Sequence, residues 1–170
     1  MKRFIGLILL ICSLQVSAQY KEAWLQASGL TCAMCSNAIN KAVSKLSFVE
    51  KVDADLNQSA FVIRFKPGMP VNFDELRKKV EEAGFSVALL KVTANVNELR
   101  LKKGEVLVWG GLNLWVVNSP GGALSGEQTF QLLEKGFLTA KAYKKSGKEV
   151  TAPAYQSAIA AGKRVYVVTF

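Results

Sequence analysis

Residues 23–39, AWLQASGLTCAMCSNAI, change from the period of a strand to the period of a helix across a pair of cysteines. Before the pair, Ala23, Leu25 and Ala27 alternate with larger or more polar neighbours, which is the pattern of a half-buried strand. Apolar residues at helical spacing follow the pair: Ile39, Ala42, Val43 and Leu46. The stretch therefore predicts a strand, a cysteine-bearing loop and a helix.

Three further strands are predicted in the next part of the chain. Apolar residues alternate with polar ones over residues 52–56 and 61–65, and Asn57-Gln58 between them is a plausible tight turn. Residues 85–92 form another short apolar segment of strand length. With the first strand, these segments give four strands.

A second helix is predicted between the third and fourth strands. Asn72 can cap its first turn, with Glu75 in the capping-box position, and Gly84 is a natural stop. The order βαββαβ predicts an α+β, ferredoxin-like sandwich for residues 21–92. Its connections place the cysteine loop, the hairpin turn and the Gly84 corner at one end, and the loop 67–70 at the other.

The rest of the chain predicts a second, mostly-β unit. Residues 93–97 are polar and suggest a linker, and residues 98–170 contain several short strand-like segments. Gly110-Gly111 is a good hairpin turn, and residues 129–133 suit either a strand or a helix. We expect a small domain of unknown role, OB-like in the arrangement we considered, with one helix inserted before its last strands.

Cys32 and Cys35 are the candidate metal ligands, because two thiols three residues apart can aim both sulfurs at one ion. The chain contains no histidine, and two thiolates suit Cu(I), which is soft and accepts few ligands. Hg(II) is also soft, whereas Zn(II) usually takes four ligands and would need others. Met34, between the cysteines, either offers a thioether, packs inside or faces a partner.

The amino-terminal residues 1–18 have the features of a secretory signal. Lys2 and Arg3 precede a short apolar run, and small residues end at Ala18. We expect an exported protein, periplasmic or secreted, in an oxidising compartment where the two cysteines can also form a disulfide. Lipid attachment at Cys12 ranks second, because the bulky Ile11 precedes it.

The charge of the chain does not indicate a dedicated polyanion site. The formal net charge is +9, and removal of Lys2 and Arg3 would lower it by two to +7. The lysines are dispersed and alternate with acids, which is typical of a solvated surface. We therefore expect no nucleic acid partner, and the short apolar runs predict no stable membrane insertion.

The motif GLTCAMCSNAI, with Glu82-Ala83-Gly84-Phe85 before the fourth strand, resembles the heavy-metal-associated domain family. This family includes copper chaperones, amino-terminal domains of metal-transporting ATPases and periplasmic mercury-binding proteins. The resemblance covers about residues 23–92, and Leu30 departs from it where the family more often has methionine. It implies that Cys32 and Cys35 bind a soft metal ion and pass it to a donor or acceptor protein.

Two interpretations are open for the side chains near the cysteines. Phe85, at the same end as the cysteines, either shields the sulfurs from water or packs in the core. Lys41 and Lys45, on the helix after the loop, either steer an acidic partner or are simply solvated.

Two other functions compete with metal binding. The same cysteines can cycle between dithiol and disulfide in a redox protein. Alternatively, the second unit is a binding module whose aromatic residues form a surface: Trp109, Trp115, Tyr143 and Tyr155. We find no catalytic constellation, so a non-enzymatic binding protein is the leading hypothesis.

Overall fold

The computed structural model describes residues 19–30, 33–146 and 153–170. The expected signal sequence, with Cys12, lies outside these ranges. The strands are β1 Gln19–Ser28, β2 Val49–Asp55, β3 Ala60–Phe65, β4 Ser86–Arg100, β5 Val106–Trp109, β6 Leu112–Asn118, β7 Ala123–Leu132 and β8 Val165–Thr169. The helices are α1 Ala33–Val43, α2 Phe73–Glu82, α3 Ala140–Ser146 and α4 Pro153–Ala160. In the described ranges, every helix is too short or too polar to span a membrane.

The first four strands and two helices form the predicted ferredoxin-like unit. Its strands lie side by side in the order β2-β3-β1-β4, and each neighbouring pair is antiparallel. Ala23, Leu25 and Ala27 are buried, as their alternation predicts, and they share one core with Ile39 of α1 and Leu76 of α2. The α+β class and the ferredoxin-like order are therefore confirmed.

Helix α2 begins where its sequence predicts. The side-chain oxygen of Asn72 accepts hydrogen bonds from the backbone N–H groups of Asp74, at 3.0 Å, and Glu75, at 3.2 Å. These bonds satisfy two donors that a helix start otherwise leaves open. The carboxylate of Glu75 accepts from the side-chain amide of Asn72, at 3.3 Å. In the predicted capping box, the Glu75 carboxylate would instead accept from the backbone N–H of Asn72.

Helix α2 ends just before Gly84, the stop that the sequence predicts. The N–H of Gly84 donates to the carbonyl of Glu81, and the N–H of Phe85 donates to that of Val80, at 2.9 and 3.1 Å. This pair of bonds is a Schellman motif, and it requires the left-handed backbone that Gly84 adopts with φ of 90°. The motif fixes the position from which Phe85 enters the fourth strand.

The later strands extend the first sheet instead of forming a closed OB-like barrel. The whole sheet has the order β2-β3-β1-β4-β7-β8-β6-β5, so among the described strands β2 and β5 are its edges. β4 continues through residues 93–97, where we expected a linker, because Ala94 and Val96 are buried between polar neighbours. β7 pairs with this extension as far as Arg100. The division into domains 21–92 and 98–170 stays a prediction.

Several local expectations for the second part are correct. Gly110 and Gly111 form the turn between β5 and β6, and both have positive φ, 58° and 78°. A side chain at Gly110 would collide with Tyr20, whose hydroxyl lies 2.6 Å from the position of the missing Cβ. Residues 129–132 are part of strand β7, not a helix. Two helices precede β8 instead of one, since the sequence reading missed α4.

One aromatic cluster joins the first unit to the added strands. Phe73, the first residue of α2, packs edge-on against Tyr20 of β1, Phe130 of β7 and Tyr166 of β8. The ring centroids are 5.8, 6.4 and 5.4 Å away, distances at which such pairs stabilise a fold beyond simple burial. α2 is thus covered by the added strands as well as by its own sheet.

The hypothesised aromatic binding surface is not present in the form we expected. Trp115 and Tyr155 are buried and pack against each other with ring centroids 5.9 Å apart. Trp109 lies against Tyr20 at 5.3 Å. Tyr143 of α3 is half-buried. Three of the four side chains therefore serve packing within the described residues.

Candidate metal site

The three connections that we expected to meet do lie at one end of the first unit. Ser28, the last residue of β1, pairs with Ser86, the first residue of β4. Ala60, the first residue of β3, pairs with both Gln26 and Asp55. We call this region the loop end, and it comprises residues 29–30, 34–35, 56–59 and 84–86.

Gly29 brings the chain out of β1 in a conformation that favours glycine. Its φ is 86°, and a Cβ built on it would lie 3.9 Å from a ring carbon of Phe85. Leu30 and Phe85 are partly buried and pack against the main core. The Phe85 ring therefore stands beside the start of the cysteine loop and contributes to core packing, while its shielding of the sulfurs stays a prediction.

Cys35 lies in the first turn of α1, which begins at Ala33. Its side chain is partly exposed, while Ser36 and Ile39 behind it are buried and anchor the helix. Unpaired backbone N–H groups and the helix dipole favour a thiolate at such a position. Cys32 and Thr31 lie outside the described residues, so the joint role of Cys32 and Cys35 as ligands stays a prediction.

Met34 points away from the protein. It is 84% exposed, whereas methionine that fills a core gap is buried. Leu56, in the hairpin turn at the same end, is 57% exposed. Of the roles that the sequence left open for Met34, internal packing is therefore wrong, and the side chain stands free to meet an ion or another molecule.

The hairpin turn beside the loop is held by hydrogen bonds. A carboxylate oxygen of Asp55 accepts from the backbone N–H groups of Asn57 and Gln58, at 3.0 and 3.2 Å. The side-chain amide of Gln26 donates to the carbonyl of Gln58, and the N–H of Ala27 donates to that of Ser59, both at 3.1 Å. These bonds join the turn to the strand that leads into Gly29.

The helix predicted before the last strands is observed as α3, and its place at this end was not predicted from the sequence. Leu138 forms an antiparallel bridge with Leu89 of β4, and the N–H of Thr139 donates to the carbonyl of Ala88 at 3.3 Å. Because the pairing is antiparallel, the chain then runs toward Ser86, and α3 begins there at Ala140.

Lys41 and Lys45 lie at the other end of α1 from Cys35 and just beyond that end. Lys41 lies in the last turn of α1, six residues after Cys35, or about 9 Å along the axis of an α-helix. Lys45 follows the end of the helix. Their role in steering an acidic partner stays a prediction.

The opposite end of α2 carries a cluster of charged residues, which we call the clamp: Asp74, Glu134, Arg164 and Tyr166. The Arg164 guanidinium binds both carboxylate oxygens of Asp74, at 2.6 and 3.0 Å, and donates to Glu134 at 2.7 Å. The Tyr166 hydroxyl donates to Asp74 at 2.9 Å, and the guanidinium lies 3.9 Å from the centre of its ring. The clamp joins α2 to β8 and to the segment after β7.

The two carboxyl groups of the clamp have opposite pKa shifts. Burial alone would raise the pKa of Asp74, but the hydrogen bonds and charge of Arg164, with the bond from Tyr166, outweigh it and lower the pKa. Burial raises the pKa of Glu134, and the bonds from Arg164 and the Val167 N–H only partly offset this effect. Asp74 therefore stays ionised to lower pH than Glu134.

Fold and site together define the class of the first unit. It is a small ferredoxin-like domain that presents a cysteine in the first turn of a helix at one end of an antiparallel sheet. Residues 25–86 match the family model of the heavy-metal-associated domain. The resemblance inferred from the cysteine motif is confirmed. This family match ends before the strands that follow β4.

Curated relatives and solved structures also match part of the chain. A copper-transporting ATPase of Helicobacter pylori is 34% identical over 58 residues, which are 34% of this chain and 8% of that protein. Human copper-transporting ATPase 2 is 25% identical over 85 residues, which are 50% of this chain and 6% of that protein. The first three relatives found are covered over only 14%, 11% and 6% of their length. The yeast copper transporter domain CCC2A, solved in apo and Cu(I)-loaded states, is 29% identical with a TM-score of 0.35 and covers 38% of this chain and 88% of that one.

Proposed function

We propose that this chain is an exported, non-enzymatic protein that captures Cu(I) with Cys32 and Cys35 and transfers it to a partner protein by ligand exchange. The observation that carries the proposal is the position of Cys35, partly exposed in the first turn of α1 within the residues that match the heavy-metal-associated family model. A helix start favours the thiolate, and an exposed thiolate can be reached by a second set of ligands.

Copper is the preferred ion for two reasons. The relatives named above are copper-transporting ATPases, and the chain offers two thiols without a histidine. Two thiolates satisfy Cu(I), whereas Zn(II) needs about four ligands and would have to draw them from carboxylates, water or the partner. Hg(II) would fit the same sulfurs, so it is the competing ion in a selectivity measurement.

Export supports transfer outside the cytoplasm. Residues 1–18 carry the charged, apolar and small-residue regions of a signal sequence, and cleavage after Ala18 would leave a chain that begins close to β1. We propose a periplasmic or secreted protein, with lipid attachment at Cys12 as the second choice. Mass spectrometry of the native protein decides between an amino terminus at Gln19 and a lipidated Cys12.

The test of the metal site is an anaerobic titration of the reduced mature protein with Cu(I) against a competing chelator. We expect one Cu(I) per chain. Cys32→Ser and Cys35→Ser should each weaken binding by more than the roughly 100-fold that loss of an outer-shell partner can cost. Ser119→Ala, at an exposed loop of the second part, serves as the control and should bind Cu(I) as the native chain does. Unchanged Cu(I) binding in both cysteine variants would contradict the proposal.

A thiol–disulfide redox role is the second candidate, because export would place both cysteines in an oxidising compartment. A redox protein should cycle between dithiol and disulfide against periplasmic thiol partners and show no Cu(I) affinity. The reduction potential, measured beside the Cu(I) titration on the same sample, separates the two functions. A weakly oxidising pair with tight Cu(I) binding supports transfer.

A further inference from the structure

The most concentrated positive charge near the loop end belongs to residues 135–146, which we call the basic segment. It contains four lysines and no acidic residue: Lys135, Lys141, Lys144 and Lys145. All four side chains are exposed. The segment includes α3 and belongs to the part of the chain that the heavy-metal-associated family model does not match.

Within the ranges that the structure describes, none of the four lysines of the basic segment forms an ion pair. In the described part of the chain, the ion pairs of lysines involve Lys21, Lys51, Lys78, Lys79 and Lys102 instead. Glu134, directly before the segment, is already bound to Arg164 and to the Val167 N–H. The positive charge of the segment is therefore available to a molecule that approaches from solvent.

The sheet places Thr139, which precedes three of the four lysines, near the end of β4 that lies next to the cysteine loop. Thr139 is hydrogen-bonded to Ala88, two residues along β4 from Ser86, and Ser86 pairs with Ser28 next to Gly29. With about 3.4 Å per residue along a strand and about 4.8 Å between strands, Thr139 lies roughly 14 Å from Gly29. Charges at this distance from a reacting group orient an approaching molecule at low ionic strength, where screening lengths reach about 30 Å.

We propose that the basic segment and the loop end form one docking surface for an acidic protein that exchanges the metal ion with Cys32 and Cys35. This inference rests on the proposed function and names the chemistry of the partner. Charge complementarity mainly raises the rate of productive encounter and sets orientation. The exposed Met34 and Leu56 add apolar contact area at the same end.

A protein partner fits the surface better than an anionic membrane. Helices that bind lipid surfaces insert large apolar side chains. Within the described residues, the exposed large apolar side chains are Met34, Leu56, Met69, Val108 and Ile159, so the basic segment contributes none of them. Its lysines offer charge without an insertion face, which suits a carboxylate-rich protein surface.

The test compares two triple variants with the same change in net charge. The first carries Lys141→Glu, Lys144→Glu and Lys145→Glu in the basic segment. The second carries Lys102→Glu, Lys103→Glu and Lys163→Glu, which lie after the far end of β4 and next to the clamp. The probes are two synthetic Cys-x-x-Cys peptides, one flanked by four glutamates and one by four glutamines, and stopped-flow measures Cu(I) transfer to each.

At about 10 mM salt, where screening is weak, we expect the first variant to transfer Cu(I) to the glutamate peptide at least ~10-fold more slowly than the native chain. The second variant should stay within about threefold, and neither should change much with the glutamine peptide. Raising the salt concentration should remove the difference. Equal slowing in both variants, or no preference of the native chain for the glutamate peptide, would overturn the proposal.

Two further measurements test the docking surface independently of the metal site. A glutamate peptide with serines in place of its cysteines, titrated into the metal-free protein, should shift the backbone NMR signals of the basic segment and loop end. This result supports docking even if the chain fails to bind Cu(I), which would end only the proposed function. Sedimentation with phosphatidylglycerol vesicles that requires the three lysines, without any response to the peptides, would assign the surface to lipid and overturn the proposal.

Discussion

The two ends of α2 differ in packing, in charge and in the exposure of their side chains. At its start, Asp74 is held by Arg164 and Tyr166, and Phe73 is enclosed by three aromatic rings. At its other end, the chain turns at Gly84 toward a region where Met34 is exposed and Cys35 is partly exposed. One end is thus closed by packing and charge, while the other leaves side chains accessible.

This difference shows how the added strands can stabilise the domain without covering its candidate site. Arg164 and Tyr166 of β8 contact α2 at Asp74, and Gly136 and Phe137, in the segment after β7, approach Arg77. These contacts cover α2 from the side of the clamp. The added strands should therefore set the stability of the domain, while the loop end sets its metal binding.

Phe73→Ala should give the largest effect on stability. Removal of a fully buried phenylalanine typically costs about 3–5 kcal/mol in the free energy of unfolding, measured by urea denaturation. Phe73→Leu, the matched control, should cost less than about 2 kcal/mol because it preserves most of the volume. Cu(I) affinity per folded molecule should be unchanged in both variants. A parallel loss of affinity, at urea concentrations where the variant is folded, would break the separation of the two ends.

The Asp74→Asn variant tests the difference between the two ends of α2 through the pH dependence of the free energy of unfolding. The folded state lowers the pKa of Asp74, so its stabilisation is complete above the unfolded pKa of about 3.9 and is lost as pH falls through the folded value. We expect the variant to be less stable at pH 7 by about 1 kcal/mol, the range of a partly exposed pair, and the gap to close at acid pH. Glu75→Gln, at the neighbouring exposed carboxylate, is the control.

The effect of pH on stability through Glu134 has the opposite sign to the effect through Asp74. Its pKa is raised in the folded state, so the folded protein takes up this proton first, and stability from this group increases as pH falls through the raised value. The native profile therefore contains two opposing contributions. A gap between the native chain and Asp74→Asn that stays constant down to acid pH would show that the clamp does not hold Asp74 as an anion.

Local sequence rules predicted the first unit well because its signals are close together in the chain. The alternation of Ala23, Leu25 and Ala27, the cap at Asn72 and the stop at Gly84 each depend on a few neighbouring residues. The position of Cys35 at the start of a helix followed from the same local pattern. The fold and one half of the candidate site were therefore predictable from sequence.

The arrangement of the later strands depends on contacts between distant residues. Residues 93–97 contain polar side chains that hid the alternation of Ala94 and Val96, so a long strand was read as a linker. Arg164 finds its partner Asp74 90 positions away. The periodicity of apolar residues cannot predict such a distant pair. For the same reason, the sequence does not predict that the basic segment lies beside β4.

Met34→Ala should have the smallest effect on stability and still separate two roles of the loop end. An 84% exposed side chain contributes little to folding, so the free energy of unfolding should change by less than about 0.5 kcal/mol. If Met34 serves only as a contact for a partner, the variant keeps its Cu(I) affinity and transfers the ion to an acceptor more slowly. Met69→Ala, at the 41% exposed methionine of the loop 67–70, should alter neither quantity. A loss of Cu(I) affinity in Met34→Ala alone would instead make its thioether a third ligand, and the loop end would then bind the ion before any partner arrives.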